Sequence, residues 1–569
     1  MTRAPVDPSA LQYGSDLVAA LLRGLGVPFL AINPGASFRG LHDSVVNLLG
    51  NHDPKLLLTL HEAQAVAIAH GYAKVTGKAM GVVLHANVGL MNAVMAIYDA
   101  WVDRVPMLII GATGTVDAVR RRPWIEWIHT SRDQASIIRH FVKWDDQPAS
   151  PAAALESVMR GALMTATEPC APVYICLDVD LQERALSAPV SLPDVERHPL
   201  PRQPVAAERD LAETRRLLAG THKPLVLVGR HNRTQQAWDR RVAFVEQLGA
   251  AVICDQKCGV GFPSAHPRFV SAPAQYLDAR ATQILTEADC IVSLDWPDLG
   301  GTLSQRPDRG KDLRLIVVSP DERLHNGWSL DHFPLTEADV RIPVPADCFI
   351  AGWLDSHQAH RAAPWPVPQP AALPAIAADG PVTMAGLAHV FAEARGQRPV
   401  CLTRLPFGWP EGDTRFGGPL DCIGYDGGGG IGSTPGITVG AALALRGTGR
   451  VAVAILGDGD LLMGSQALWT AAAEKLPALF IVNNNRSFHN DVEHQERVAR
   501  HRGRPLENRD IGMTIDDPPV DIAGLARSYG LRSFGSVERL SGLREALRAA
   551  FLAVESGATV LVDVRVVRG

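Results

Sequence analysis

Short, nearly continuous runs of valine, isoleucine and leucine recur along the whole chain, and they constrain its fold more than any other feature. They are GVVLHA, PMLIIG and PVYICLDV before residue 180, PLVLVG, AAVICD, CIVSLD and LRLIVVS between 224 and 319, and RVAVAILGDGD, PALFIVNNN and TVLVDVRVV from 450 onward. Runs of this kind indicate strands buried on both faces, as in parallel sheets covered by helices. Helical patterns separate them, so we expect α/β domains built on parallel sheets.

Two proline-rich segments with poor periodicity divide the 569 residues. Proline lacks a backbone donor and disfavours helix in the residue before it, so both segments are predicted to be extended linkers. A chain of this length is also too long for one core. We therefore predict three successive doubly wound α/β domains at 1–186, 205–356 and 378–569, joined by linkers at 187–204 and 357–377.

Charge and cysteine usage exclude several classes of protein. A formal net charge of −5 gives no electrostatic case for nucleic acid or an anionic membrane as a partner. The eight cysteines are scattered without a CxxC pair, which indicates reduced thiols rather than a disulfide framework or a metal cluster. Asp7, Pro8 and Asp16 interrupt the start of the chain, and no run approaches about 20 apolar residues. We expect a cytoplasmic protein with no signal peptide and no membrane span.

Polar clusters follow two of the strands predicted for the third domain. One strand ends in Gly457, Asp458 and Gly459, and the next ends in the asparagines 483–485. Ligands of parallel α/β sheets collect at the carboxyl ends of strands. The Asp458 carboxylate and the Asn485 amide are hard oxygen ligands that suit magnesium, and the glycines let a phosphate approach the following helix start. The pair predicts a metal and diphosphate site, whereas a GDG turn alone is often only structural.

Asn485 lies 27 positions after Asp458, and this GDG with a closing NN resembles the signature of thiamin-diphosphate-dependent enzymes. The resemblance, to the decarboxylase and acetolactate synthase branch, runs along essentially the whole chain. It implies a pyrimidine-binding, a central Rossmann-like and a diphosphate-binding domain. It also implies thiamin diphosphate and Mg²⁺ as cofactors, with Asp458, Asn485 and the Ser487 carbonyl as metal ligands. Ile431, after a glycine run, matches the apolar residue that keeps the cofactor bent; an ordinary buried isoleucine is the alternative.

A glutamate and a histidine in the first domain are candidate catalytic residues. HEAQAVAIAHGYA resembles the family motif whose glutamate contacts the pyrimidine ring and activates the cofactor, which assigns that role to Glu62. A helix-start glutamate favoured by the helix dipole is the alternative. His85 stands where benzoylformate decarboxylases keep a histidine, and histidine is suited to acid–base chemistry near neutral pH.

Other matches to benzoylformate decarboxylase fail or remain open. INPGASFRG resembles its loop that ends in a catalytic serine, but Ala36 occupies the matching position and Ser37 comes one residue later. Residues 269–277 contain no histidine, although that enzyme has its second catalytic histidine near there. RRRPWIEWIHTSRDQ matches a loop near the substrate, so Trp127 is a candidate wall of the acyl pocket. A solvated charged face is the alternative for this loop.

The segment RSFHNDVEHQERVARHRGRP resembles 2-hydroxyacyl-CoA lyases of the actinobacterial type, in which a glutamate shuttles the proton of the substrate hydroxyl. Glu493 matches that glutamate, and Val492 matches a residue of the pocket wall. The alternative is a surface helix with salt bridges four residues apart, Glu493 to Arg497 or Glu496 to Arg500. For the nucleotide of a CoA ester, the central domain offers Arg230, His231 and Arg233 after a strand. A purely structural role for these three residues is the alternative.

The sequence thus predicts a thiamin-diphosphate-dependent lyase or carboligase, most like a 2-hydroxyacyl-CoA lyase that releases formyl-CoA and an aldehyde or ketone. One alternative is a 2-oxo acid decarboxylase or acetolactate-synthase-like ligase, which His85 favours. Another is an inactive, cofactor-binding regulatory protein, against which Glu62 argues. The expected partners are a small-molecule substrate, which for the lyase is a CoA thioester, and further copies of the chain. The resemblance implies a homodimer or homotetramer with active sites at the subunit interface.

Overall fold

The computed structural model describes residues 6–306, 313–321, 335–356, 365–368, 375–410, 412 and 414–567. Its strands form three sheets in chain order, two of six strands and one of five. Each apolar run named above contains a strand, and the strands within each sheet pair in parallel. The predicted fold class is therefore confirmed.

The first sheet carries the candidate catalytic residues Glu62 and His85 at the ends of its strands. Its strands are β1 (Phe29–Ile32), β2 (Lys55–Leu58), β3 (Met80–Leu84), β4 (Met107–Thr113), β5 (Trp144–Asp146) and β6 (Pro172–Asp178). They are ordered β2-β1-β3-β4-β6-β5. The helices are α1 (Gly14–Gly24), α2 (Arg39–Asp43), α3 (Glu62–Thr76), α4 (Ala86–Val102), α5 (Ile125–Ile128), α6 (Pro151–Thr165) and α7 (Val179–Glu183).

The central sheet has the order β12-β11-β10-β7-β8-β9, in which the strands are β7 (Pro224–Val228), β8 (Ala251–Cys254), β9 (Phe269–Ser271), β10 (Cys290–Leu294), β11 (Arg314–Val318) and β12 (Val340–Ile342). The helices are α8 (Glu208–Leu218), α9 (Gln235–Leu248), α10 (Ala279–Glu287), α11 (Leu299–Ser304) and α12 (Ala346–Asp355).

The third sheet has the order β13-β14-β15-β17-β16, in which the strands are β13 (Val400–Arg404), β14 (Val451–Gly457), β15 (Ala478–Asn484), β16 (Arg532–Val537) and β17 (Thr559–Arg565). The helices are α13 (Met384–Arg395), α14 (Thr434–Ala444), α15 (Asp458–Gly464), α16 (Ala467–Ala473), α17 (His489–His501), α18 (Ile522–Ser528) and α19 (Leu540–Glu555). Adjacent strands β14 and β15 end side by side, with Gly457 opposite Asn483.

The first proline-rich segment, 187–204, has one short 3₁₀ turn and no strand. Within the second, residues 357–364 and 369–374 lie outside the described residues. The exact domain boundaries stay predictions. Among the described residues, no helix has both the length and the apolar character needed to cross a bilayer.

The first and third domains pack directly through α3 and α14. A Cβ added at Gly71 would lie 2.0 Å from the carbonyl oxygen of Ile437, and one at Gly440 would lie 1.9 Å from that of Ile68. Only glycine permits this approach of two helix backbones. One buried apolar cluster is continuous across the contact and includes Ile68 and Ile437. The packing therefore fixes the strand ends of the two domains relative to each other.

Candidate active site

Asp458 and the loop after β15 meet at the carboxyl end of the third sheet. Asp458 starts α15, is only 2 % exposed, and accepts a hydrogen bond from the Gly459 N–H at Oδ1 over 3.0 Å. Asn485 Oδ1 accepts the Ser487 N–H at 2.9 Å. Between them Arg486 has a φ of 53°, a conformation that non-glycine residues rarely adopt and that is often found at functional sites. Burial raises the pKa of Asp458, while N–H groups of Gly459 and of the 486–487 backbone oppose the rise.

This corner has the donors and the space that a magnesium diphosphate needs. Asp458 Oδ2 is buried and has no hydrogen-bond partner among the described residues, which is costly unless a cation or a solvent molecule binds it. At Gly457, an added Cβ would meet no atom within 4 Å, so the backbone faces open space. The described ranges contain no cluster of three His, Cys, Asp or Glu side chains suited to a metal. The predicted ligand set of one carboxylate, one amide and one carbonyl fits this chemistry; the ligand roles remain a proposal.

The glycine run that precedes α14 carries Ile431. Within one chain Ile431 is 37 % exposed, so it does not belong to the core of its own domain, and its place beneath the cofactor stays a prediction. Gly432 binds both domains, because its N–H donates to Asp460 Oδ1 at 2.7 Å and its carbonyl accepts the Gln64 Nε2–H at 2.9 Å. Gln64 lies two residues after Glu62 and Asp460 two residues after Asp458, so these contacts link the two candidate sites within one chain.

Glu62 is buried at the start of α3 and faces α4. Its side chain is 7 % exposed, and Oε2 accepts a hydrogen bond from Asn92 Nδ2 at 3.1 Å. A Cβ at Gly89 would lie 3.3 Å from Glu62 Oε1, so a larger residue there would crowd the carboxylate. Asn92 was not predicted from the sequence, because nothing in α4 indicates which of its polar residues faces α3. The helix-start position is real, but burial and a specific donor distinguish Glu62 from a solvated capping residue.

His85 caps α4 and is bonded to Ser37 from the loop after β1. Ser37 Oγ lies 2.8 Å from His85 Nδ1, and the Ser37 N–H points to the same nitrogen at 3.4 Å. The Ala86 N–H donates to Ser37 Oγ at 3.1 Å, which leaves the hydroxyl hydrogen for Nδ1. This network assigns the acceptor role to Nδ1, so a neutral His85 carries its hydrogen on Nε2. Ala36 is exposed beside this pair, and Ser37 is the residue that contacts the histidine.

His129 is a second histidine that sequence reasoning missed. Its ring centroid lies 4.7 Å from that of His85, in an edge-to-face arrangement at 74°. Burial lowers the pKa of His85, the nearby His129 and Arg122 lower it further, and Glu62 opposes them. For this loop the sequence predicted only Trp127 as a site residue, and residues 269–277 contain no histidine. The segment WIHTS was the available signal, but only the fold brings it to β3.

The remaining predicted site residues lie on the tryptophan loop and on α17. Trp127 is 81 % exposed, so no wall forms around it within one chain. Val492 is 3 % exposed and lines a cavity of about 530 Å³ together with Glu493. The Glu493 side chain is 61 % exposed, and its Oε1 lies 3.7 Å from His489 Nε2.

The salt-bridge alternative is confirmed for Glu496 of α17. Glu496 Oε1 lies 2.5 Å from Arg500 Nη2, and its Oε2 lies 2.6 Å from Arg509 Nη1. These pairs cross-link the helix surface and the segment that follows it.

The basic residues predicted to contact a CoA nucleotide bind other parts of the chain. Arg230 pairs with Asp321 at 2.7 Å and donates to the carbonyl of Val102 at 3.0 Å. Arg233 donates to the carbonyl of Cys258 at 2.6 Å. His231 Nδ1 lies 2.8 Å from the Gly229 carbonyl, and burial lowers its pKa. These contacts support the structural alternative.

The fold and the site together define a three-domain α/β protein with an acid–base cluster at the strand ends of the first sheet and a corner suited to a metal-bound diphosphate at the strand ends of the third. Profiles of the thiamine pyrophosphate enzymes match all three parts of the chain: the N-terminal TPP binding domain at residues 12–137, the central domain at 211–323 and the C-terminal TPP binding domain at 411–564. The chain belongs to the thiamine pyrophosphate enzyme family, and thiamin diphosphate with Mg²⁺ is its cofactor set.

Individual relatives cover nearly the full chain. The benzoylformate decarboxylase of Pseudomonas aeruginosa is 26 % identical over 525 residues, 87 % of this chain and 90 % of the relative. A probable 2-ketoarginine decarboxylase of the same species is 26 % identical over 586 residues, 98 % of this chain and 95 % of the relative. The crystal structure of benzoylformate decarboxylase from Polynucleobacter necessarius superposes with a TM-score of 0.80 at 21 % identity, covering 98 % of this chain and 99 % of the other, which supports the fold.

Proposed function

We propose that this enzyme is a thiamin-diphosphate-dependent decarboxylase of 2-oxo acids of the benzoylformate type. The observation that carries the proposal is the cluster of Ser37, His85 and His129 beside the buried Glu62. It combines a neutral acid–base group of fixed tautomer with a carboxylate at the pyrimidine end of the cofactor. The full-length similarity to a benzoylformate decarboxylase supports the same reaction class.

When bound, thiamin diphosphate supplies the nucleophilic carbon and accepts the electron pair that remains as CO₂ departs. Glu62 would hold the pyrimidine ring and exchange a proton with it. Neutral His85 would donate its Nε2 proton to a substrate oxygen and later recover it, because Ser37 fixes Nδ1 as the acceptor. Asp458, Asn485 and the Ser487 carbonyl would hold the metal and, through it, the diphosphate.

The reaction class can be tested with purified enzyme, thiamin diphosphate and Mg²⁺. Benzoylformate and pyruvate are offered in one arm, and formyl-CoA with small aldehydes or ketones in the other. We expect CO₂ release from a 2-oxo acid and a loss of about 10²-fold or more in kcat for His85→Ala, the scale of one lost acid–base group. Product formed only from formyl-CoA would contradict the proposal.

A 2-hydroxyacyl-CoA lyase is the second candidate, favoured by the cavity of about 530 Å³ beside Val492 and Glu493. Glu493 would be the proton shuttle of that reaction. We rank this candidate second because the Glu493 side chain is 61 % exposed and the central-domain arginines bind protein groups. Turnover in the formyl-CoA arm that Glu493→Gln abolishes would reverse the order.

We also propose that a second copy of the chain covers an apolar surface formed by α4 and the neighbouring part of the third domain. Val88, Met91 and Met95 project from α4 with exposed fractions of 37, 53 and 43 %. Ile431 and Met463, 37 and 55 % exposed, extend the surface on the third domain. Met95 approaches Gly430 and Met463 approaches Gly432, so the surface is continuous across both domains. Exposed methionines clustered beside a site that lacks a wall around Trp127 favour an intersubunit contact.

A further inference from the structure

Three buried carboxylates hold the glycine run that carries Ile431. Asp426 Oδ1 accepts the Gly429 N–H at 2.8 Å. Asp460 accepts the Gly432 N–H at 2.7 Å through Oδ1 and the Thr434 hydroxyl at 2.6 Å through Oδ2. Both acids belong to the third domain. The third carboxylate, Asp99, comes from α4 of the first domain.

Asp99 is fully buried and contacts the run at several points. Its Oδ2 accepts the Ser433 hydroxyl at 2.7 Å, and its Oδ1 lies 3.4 Å from the Gly430 nitrogen, which donates to it. A Cβ at Gly428 would lie 2.5 Å from Asp99 Oδ1, so the run approaches this carboxyl as closely as glycine permits. The outer side of the run is open, because a Cβ at Gly429 would meet nothing within 4 Å.

The charges around the run make Asp99 different from the other two acids. Arg404 is buried within 3.1 Å of Asp426 and 3.8 Å of Asp460, so one guanidinium compensates both third-domain carboxylates. Burial raises the pKa of Asp99 to about 8, with the Asp426 charge as a further cause. Asp99 holds the run through the hydrogen bonds that it accepts from Ser433 and Gly430.

We infer that Asp99 is a positioning residue for the cofactor: it fixes the glycine run, and with it Ile431, the apolar residue expected to keep the cofactor bent. The diphosphate corner at Asp458 shares no hydrogen bond with Asp99. Loss of Asp99 should thus weaken binding of the pyrimidine and thiazolium end of thiamin diphosphate while leaving the magnesium diphosphate end intact. The inference rests on the cofactor of the family and is independent of the substrate proposed above.

The test compares two ligands on the full chain freed of cofactor. Binding of thiamin diphosphate is measured by quenching of intrinsic fluorescence in Mg²⁺, and binding of magnesium pyrophosphate by calorimetry. Asp99→Ala should raise the Kd for thiamin diphosphate about tenfold or more. A tenfold rise corresponds to a loss of about 1.4 kcal/mol of binding free energy. Its Kd for magnesium pyrophosphate should stay within about twofold of wild type. Asp99→Asn, which keeps an acceptor oxygen, should restore most of the thiamin diphosphate affinity.

Glu474→Gln is the matched control, because Lys55 and Glu474 form an ion pair between the same two domains, at 2.6 Å and away from the glycine run. It should bind both ligands as wild type does. Two results would overturn the inference and indicate a general loosening of the domains. One is an equal loss of thiamin diphosphate affinity in both variants. The other is an equal loss of affinity for both ligands in Asp99→Ala. If Asp99→Ala does not fold, Ser433→Ala decides: weaker thiamin diphosphate binding supports the inference, and wild-type affinity overturns it.

Discussion

Two candidate site residues have unusual hydrogen bonding. One has a buried oxygen without a partner in the described part of the chain, and the other is held in one tautomer. Asp458 Oδ2 is buried without a partner among the described residues, which a cation would correct. His85 Nδ1 faces two donors of Ser37, which determines the position of its proton. Asp458 lies at the strand ends of the third domain and His85 at those of the first.

Replacing Asp458 with Ala should remove Mg²⁺-dependent binding of thiamin diphosphate. We expect the apparent Kd to rise by more than about a hundredfold, because the loss of outer partners of a metal site alone costs 10–100-fold. Fluorescence titration of thiamin diphosphate at several Mg²⁺ concentrations measures the change. Glu538→Ala, at an exposed acid of the same domain, is the control that should bind normally. Wild-type affinity in Asp458→Ala would contradict the metal site.

Replacing His129 with Phe should move the acid limb of the pH profile of kcat/KM to higher pH. His85 has a lowered pKa, so it stays neutral and competent as pH falls below 6.5, its ordinary value; activity is lost only as pH falls through the lowered pKa. Removing the His129 charge takes away one cause of that lowering, so the pKa of His85 rises and activity is lost at a higher pH. Phenylalanine keeps an aromatic ring in the edge-to-face contact with His85. An unchanged acid limb would show that His85 does not control it.

Among the elements, α3 and α14 join the first and third domains by touching backbone to backbone. Their glycines carry no catalytic group, yet they set the distance between the start of α3, where Glu62 lies, and the glycine run. The two helices belong to different domains, so this contact is tertiary even though each glycine lies in an ordinary helical pattern.

Gly71→Ala should destabilise the protein and loosen the contact between the domains. The added methyl group would lie 2.0 Å from the Ile437 carbonyl oxygen, so α3 must shift, at a cost of about 1–3 kcal/mol. Denaturant unfolding measures the change in the free energy of unfolding. Gly542→Ala in α19 is the control: its nearest atom would be 3.7 Å away, and we expect stabilisation by about 0.5–1 kcal/mol. Equal effects of the two substitutions would show that the α3–α14 contact tolerates side chains.

In the whole molecule, the candidate site has an exposed apolar rim. Within one chain this rim consists of apolar side chains on α4 with Ile431 and Met463, and Trp127 is 81 % exposed. A second copy seated on this rim would bury these side chains and bring further groups to the substrate.

Met91→Lys should therefore weaken self-association. A charged side chain at the centre of a buried apolar contact loses its hydration, and we expect the dimer Kd to rise at least about tenfold, equivalent to about 1.4 kcal/mol. Sedimentation velocity over a concentration series gives the association constant. Leu552→Lys, at an exposed leucine of α19, is the control and should leave the mass unchanged. A monomeric wild-type protein, or a Met91→Lys variant that associates normally, would contradict the proposed interface.

Local sequence patterns predicted the three parallel sheets and pointed to Asp458 and Asn485 at the strand ends of the third. Buried parallel strands need apolar residues on both faces, which gives a continuous apolar run. In the third domain, the glycines and oxygen donors of the site directly follow two such runs. Both patterns can therefore be read from a short stretch of sequence. Short strands at or near the sheet edges, such as β5 and β9, left no such signal, since they are three residues long. The tertiary structure alone decided that Ser37 contacts His85, that His129 stands beside it and that Asp99 binds the glycine run. Each of these contacts joins segments far apart in the chain. The packing of helices and loops decides which side chains meet, and no local sequence pattern encodes that packing.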